Sequence, residues 1–318
     1  MTSARRSRTA GTATMAPDRG LHGWLVIDKP RGLTSNRVVE QVRRRTGAKA
    51  GHAGTLDPLA TGVLPIALGE ATKTTSYAMR GRKCYRFCVR WGIARATDDC
   101  EGEIVAESGS RPSRPEIEEI LPRFIGTIAQ APPAYSAIKI GGRRAYALAR
   151  ADRPPSLPVR PVEIVSLRLI SALDCDHAEF EAVVGKGTYI RALARDLAVE
   201  LGTFGHITAL RRLSVGPFTE AQAISLESLA DLPHILPAYG GLLPIETALD
   251  GIPALALAAA DADRLRCGQR VMPCDFGRRA QLGGLEAGTV VSAWHNHALV
   301  ALAMIEDGGL RSLRIFNC

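Results

Sequence analysis

Between Gly51 and Pro65 the chain reads Gly-His-Ala-Gly-Thr-Leu-Asp-Pro-Leu-Ala-Thr-Gly-Val-Leu-Pro. Pro58 pushes Asp57 out of the helical region. Gly54 permits a positive φ or a backbone lying close to a ligand. The run therefore predicts a tight loop ahead of an apolar stretch, and the loop presents one carboxylate. No other acid lies between Glu40 and Glu70. By itself, Asp57 is more commonly an ordinary Asp-Pro turn residue.

Elements on either side follow from periodicity. Trp24-Leu25-Val26-Ile27 predicts a short buried strand, with a turn at Arg31-Gly32. Thr34-Ser35-Asn36 offers caps for a helix whose apolar stripe is Val38, Val39 and Val42 and whose end is Gly47. Arg43-Arg44-Arg45 complements the negative end of that helix, or meets phosphate. Tyr85, Phe87, Val89 and Trp91 alternate with Arg86, Cys88 and Arg90, which predicts a half-buried strand. A second strand is expected over 102–107. Pro115 opens a helix with Ile117, Ile120, Leu121, Phe124 and Ile125 facing inward.

Residues 130–161 carry Lys139, Arg143, Arg144, Arg150, Arg153 and Arg160 against Asp152, broken by Pro and Gly pairs. Such a segment is either a basic arm that orders on a polyanion or a plain surface loop. Strands are expected over 164–170 and 178–184. Lys186-Gly187-Thr188 turns into a helix from Tyr189 to Leu201, with Ile190, Leu193 and Leu197 on its stripe and Arg191 on the opposite side. Pro233 to Pro244 reads as a domain boundary. Beyond it lie a short helix near 261–266 and three small strands, over 289–293, 297–304 and 310–316. Adjacent strand runs with little βα alternation predict an α+β fold with a mixed, mainly antiparallel sheet.

A length of 318 residues suits two domains: 21–248 with the arm at about 130–161, and 249–318. Residues 1–20, with Arg5, Arg6, Arg8 and Arg19, read as a disordered basic tail or a transit peptide. The formal charge of +8 fits a polyanionic partner or a basic protein without one. Seven cysteines without a C-x-x-C pair argue against a disulfide framework and for a reduced, cytoplasmic setting. Cys84 and Cys88 share a strand face but lack a second ligand pair for zinc. The longest apolar run, near 252–260, is too short to span a bilayer. No P-loop or dinucleotide fingerprint follows a strand, so a phosphate-cradling metabolic enzyme is disfavoured.

Four separated blocks resemble the bacterial tRNA pseudouridine-55 synthases, the TruB-type family. They are Gly23 to Ser35; the Gly51–Pro65 loop with Gly69-Glu70-Ala71-Thr72-Lys73; Lys83-Cys84-Tyr85-Arg86; and Gly185-Lys186-Gly187-Thr188-Tyr189-Ile190-Arg191 with Leu210-Arg211-Arg212-Leu213. Ala134 to Lys139 extends the match into the arm. The resemblance implies that Asp57 attacks a flipped uridine, Tyr85 stacks on its ring and Arg191 pairs with Asp57 in a water-poor cleft. It implies that His52 contacts the RNA loop and that Lys29, Pro30, Tyr189 and Leu210 line the pocket. Lys139, Arg143 and Arg144 of the arm would clamp the T stem-loop of tRNA, and a PUA-like C-terminal module would touch RNA elsewhere. A monomer needing neither metal nor cofactor is expected, since isomerising uridine changes no oxidation state. The rival reading is an RNA-binding or RNA-folding protein that uses the same groove without catalysis. Where the family has Asp-Thr-x-Asp-x-x-Gly, this chain has Ala96-Thr97-Asp98-Asp99-Cys100-Glu101-Gly102, and no role is assigned to those acids.

Overall fold

Thr34 starts the first helix as its hydroxyl predicts, accepting the backbone N–H of Arg37 at 3.2 Å. The helix, α1 (Ser35–Thr46), buries Val38, Val39 and Val42, and it stops where Gly47 turns left-handed at φ 68°. A computed structural model describes residues 20–136, 139–140, 143–144, 157–231, 242–272 and 285–317. The expected basic tail, most of the arm beyond Ser136 and most of the Pro233–Pro244 boundary lie outside the described residues.

A ten-stranded sheet dominates. In chain order its strands are β1 (Gly23–Lys29), β2 (Ala50–His52), β3 (Thr61–Leu68), β4 (Lys83–Trp91), β7 (Gly126–Gln130), β10 (Arg160–Ala172), β11 (His177–Val184), β12 (Gly205–Val215), β13 (Phe218–Thr219) and β14 (Ala223–Ser225). Two small hairpins stand apart: β5 (Ile93–Arg95) with β6 (Ile104–Glu107), and β8 (Lys139–Ile140) with β9 (Arg143–Arg144). The spatial order across the sheet is β14-β1-β3-β12-β4-β11-β10-β7. Most pairings are antiparallel, while β1–β14 and β3–β12 run parallel. The mixed, mainly antiparallel α+β reading holds.

Other helices are α2 (Thr75–Ala78), α3 (Arg114–Ile120) and α4 (Ile190–Glu200). Ser113 and Glu116 form a reciprocal capping box at the start of α3. Ile117, Ile120 and Leu121 are buried as expected, but Ile125 is exposed. The α-helical period ends at Ile120 and a 3-10 turn over Leu121–Phe124 changes the phase, which turns Ile125 outward.

The main core lies between the sheet and the helices α1, α3 and α4. Phe87, Val89 and Trp91 of β4 all point into it. Phe180 stacks on Phe87 at 5.4 Å and meets Trp91 edge-on at 6.1 Å. A four-stranded sheet follows, made of β15 (Ala254–Ala256), β16 (Val290–His295), β17 (Ala298–Glu306) and β18 (Gly309–Ile315), with α5 (Ala259–Arg266) packed against it. A separate apolar cluster joins the two sheets. It contains Trp24 and Phe218, 4.9 Å apart, together with Ile245, Leu302 and Phe316. Lys73 Nζ donates to the carbonyl of Ile315 at 2.7 Å, and Asn317 N–H donates to Glu70 at 2.9 Å. The Gly69–Lys73 motif is therefore the seat on which the last strand rests. No helix among the described residues is long and apolar enough to cross a membrane.

Candidate active site

The loop over 53–60 is held at each carbonyl from Gly54 to Pro58. Arg212 Nη2 donates to Gly54 O at 3.1 Å and Nη1 to Thr55 O at 3.4 Å. Ser35 Oγ donates to Leu56 O and accepts Leu56 N–H, at 3.1 and 2.8 Å. Asp57 O accepts Ala60 N–H at 3.0 Å. Pro58 O accepts Gly32 N–H at 2.7 Å and Lys29 Nζ at 3.3 Å. Gly54 adopts φ 96° and Gly62 φ 98°, values that L side chains rarely reach. A Cβ at Gly62 would also collide with the Arg212 backbone. A loop this fully bonded presents its one acid from a fixed backbone.

Arg191 meets that acid, with Nε 2.9 Å from Asp57 Oδ2. Arg191 lies in the first turn of α4, on the side opposite the apolar stripe, yet it is only 4% exposed. Its charge is spread over several partners. Nη1 donates to Thr97 O at 2.7 Å and lies 3.5 Å from Asp99 Oδ2, and Nη2 donates to Tyr135 O at 2.8 Å. The Asp57 side chain, by contrast, is 38% exposed. The cation is sealed and the acid is open.

Tyr85 is half-buried against the main core and sits on β4 opposite Arg212 of β12. Leu210 is opposite Phe87, so Tyr85, Phe87, Leu210 and Arg212 share one sheet face. Leu210 is buried within the core. Lys29 is fully buried. Its ammonium donates to Pro30 O at 2.9 Å, Leu33 O at 2.7 Å and Pro58 O. Burial pushes the Lys29 pKa down to about 8, an effect opposed by Asp57 and reinforced by Arg212. His52 ends β2, and its Nδ1 is buried without a hydrogen-bond partner among the described residues. Burial, and then Arg212, lower its pKa below the usual imidazole value, which keeps the ring neutral at pH 7. Tyr189 N–H donates to Gln130 Oε1 at 2.9 Å and its carbonyl accepts Gln130 Nε2 at 3.2 Å, while Arg160 covers its ring at 5.2 Å. Lys139, Arg143 and Arg144 fall on β8 and β9; their side chains lie outside the described residues, as do Arg150 and Arg153.

Four contributors carry no signal of their own in the sequence: Asp99, Gln130, Arg195 and Arg212; Ser35 is legible only as a candidate helix cap and as the end of the first family-like block. Asp99 is 4% exposed and bonded to the Thr97 hydroxyl beside Arg191. Arg195 pairs with Asp98 at 3.0 Å and donates to Ala131 O at 2.8 Å. The only sequence trace of the acids is the departure from the family turn, and Arg212 is visible only within Leu210-Arg211-Arg212-Leu213. Among the described residues no group of His, Cys, Asp and Glu is placed to hold a metal ion. The clefts at the junction of the two sheets, lined by Glu246, Trp294 and Phe316, contain none of the expected site residues.

Solved structures share this fold. The chain is similar to the archaeal box H/ACA sRNP Nop10-Cbf5 complex at a TM-score of 0.68 and 23% identity, over 93% of this chain and 86% of that one. A Cbf5-Nop10-Gar1 complex matches at a TM-score of 0.69 and 24% identity, over 93% and 84%. The model of the TruB family pseudouridylate synthase N-terminal domain matches residues 42–190, and that of the tRNA pseudouridylate synthase B C-terminal domain matches residues 191–250. A tRNA pseudouridine synthase B of Rhodospirillum rubrum is 52% identical, over 94% of this chain and 97% of the relative. One of Bradyrhizobium diazoefficiens is 50% identical over 98% and 91%. The chain belongs to the TruB family of pseudouridylate synthases, and it is a pseudouridine synthase, an isomerase.

Proposed function

We propose that this enzyme isomerises a uridine in the T loop of tRNA to pseudouridine, with Asp57 as the nucleophile. Support for tRNA comes from the relatives, which are named for it at about half identity over nearly the whole chain. Support for the nucleophile comes from one relationship: the sealed Arg191 guanidinium fixes Oδ2 of an otherwise open carboxylate at 2.9 Å. Among the described residues, Oδ1 accepts no hydrogen bond and is left for the reacting base. A covalent route needs an aimed carboxylate, and Arg191 supplies the aim.

The target lies inside a folded loop, so the base must leave its stack. The Tyr85 ring then replaces the lost stacking, worth about 1–3 kcal/mol per base. The N1–C1′ bond breaks and a C5–C1′ bond forms; C5 gives up its proton and N1, freed from the sugar, takes one up, with no change of oxidation state. The free Asp57 oxygen can serve ring addition or attack at the sugar. His52 and the arm cations would grip the RNA around the extruded base. Lys29 and Pro30 would underlie the pocket from the Asp57 loop, with Tyr189 and Leu210 as its walls. On this reading residues 21–248 form the catalytic unit and 249–318 a PUA-like module that contacts RNA; the family-model matches end at residue 250.

The test is Asp57→Asn assayed on an unmodified tRNA transcript, with the modified position mapped by mass or chemical probing. Product should vanish while RNA binding stays within a few-fold of wild type. Turnover in that variant would remove the nucleophile, and binding without turnover in the wild type would favour the RNA-folding reading.

A further inference from the structure

Arg212 is a buried cation of the site beside Arg191 and Lys29, and its position is harder to explain than that of Arg191. It is 1% exposed, and among the described residues it faces no carboxylate at ion-pair distance. Buried charges are ordinarily paired, because an unpaired one is costly. Every bond Arg212 makes is to a backbone carbonyl: Nε to Val63 O at 2.8 Å, Nη2 to Gly54 O and Nη1 to Thr55 O. Gly54 and Thr55 lead into Asp57, and Val63 lies on β3 where the chain re-enters the sheet. The guanidinium therefore pins both feet of the loop to β12. From the same strand position Arg212 is the cross-strand neighbour of Tyr85 on β4.

We propose that Arg212 is a positioning residue for the isomerisation: its rigid fork fixes the Asp57 loop at one distance from the Tyr85 ring, so that a stacked uracil meets the carboxylate. This rests on the reading of Asp57 as the nucleophile. Three carbonyls converging from two separate segments call for a planar donor set. A lysine ammonium lacks that geometry, because its donors spread from one point on a flexible stem. The neighbouring glycines fit the same demand. Gly62 lies where a side chain would strike the Arg212 backbone, and a Cβ at Gly54 would approach Nη1 to 3.4 Å. The pattern places Arg212 in the geometry of the site rather than in RNA binding, because its side chain is closed to solvent.

The experiment compares Arg212→Lys and Arg212→Met with wild type on an unmodified tRNA transcript. Single-turnover rates at saturating enzyme, RNA dissociation constants and thermal midpoints are measured for each. Arg212→Met removes the buried charge but leaves the carbonyls of Val63, Thr55 and Gly54 without this donor, so its thermal midpoint should fall, whereas Arg212→Lys keeps the charge. Both variants should bind RNA within about threefold of wild type while the chemical rate falls by about 100-fold, the loss typical of ångström-scale misplacement. A wild-type single-turnover rate in either folded variant, even with a lowered thermal midpoint, would reduce Arg212 to a structural residue and overturn the proposal. So would a rate loss matched by an equal loss of binding, or failure of both variants to fold. Asp57→Asn runs alongside: turnover there would defeat the underlying reading, whereas an inert Asp57→Asn beside a fast Arg212→Met would defeat this inference alone.

Discussion

Arg191 and Asp57 form an unequal pair, with the arginine side chain 4% exposed and the aspartate side chain 38% exposed across a 2.9 Å contact. The cation belongs to the interior, held by carbonyls of Thr97 and Tyr135 and flanked by buried Asp99. The acid belongs to the surface side of the contact. The two partners should therefore respond differently to removal.

Arg191→Ala leaves buried Asp99 without an ion-pair partner among the described residues and removes the donor to two carbonyls. Its stability should fall by about 3–5 kcal/mol. Asp57→Ala breaks the same contact from the open side and should cost about 0–1 kcal/mol, as exposed pairs do. Chemical denaturation of both variants checks this. Equal losses would mean that the pair acts as one buried unit.

Asp99 should matter through Arg191. Asp99→Asn keeps the side-chain shape and removes the charge, so single-turnover rates should fall about tenfold with RNA binding unchanged. A double-mutant cycle with Arg191→Lys should show coupling of about 1 kcal/mol. Additive effects would separate the two residues.

Lys29 predicts an alkaline limb. Its ammonium is charged below about pH 8 and loses both a donor and its charge above that value. Turnover should fall as pH rises through 8, and Lys29→Met should lack that limb. Stability moves in the opposite sense. An unfolded lysine titrates near 10.4, so between about 8 and 10.4 the unfolded chain holds more protons and this group's contribution rises with pH. Half-buried Cys84 and Cys88, whose thiol pKa values are raised by partial burial, oppose that trend at alkaline pH. An activity loss that tracks the thermal midpoint would point to the thiols instead.

Neutralising Arg143, Arg144 and Arg150 together should weaken tRNA binding and flatten its salt dependence. The log–log slope should drop by about 0.7–0.9 for each phosphate that is no longer neutralised. Thermal stability should hardly change. A large fall in the midpoint would make the segment part of the core.

Local pattern makes several elements legible. Thr34, the three valines and Gly47 define α1 without reference to anything distant, and alternation from Tyr85 to Trp91 defines β4. The Asp57 loop is legible because Pro58 and Gly54 restrict the backbone themselves. Family resemblance names Arg191 as the partner of Asp57, but its burial is hidden, since its other contacts lie at positions 97, 99 and 135. Arg212 is hidden for the same reason: its partners are about 150 residues away, and in sequence it looks like one more arginine. Ile125 departs from expectation because helical phase does not carry through a 3-10 turn. The parallel pairing of β1 with β14 unites residues 26–28 with 223–225, a register that no local signal encodes.

Trp24 stands on the first strand, yet it packs with Phe218, Ile245, Leu302 and Phe316. During synthesis the ribosome releases that tryptophan nearly two hundred residues before Phe218, the ring it packs against at 4.9 Å. An early translation intermediate must carry a bare indole face, an invitation to chaperones that only the later segments withdraw.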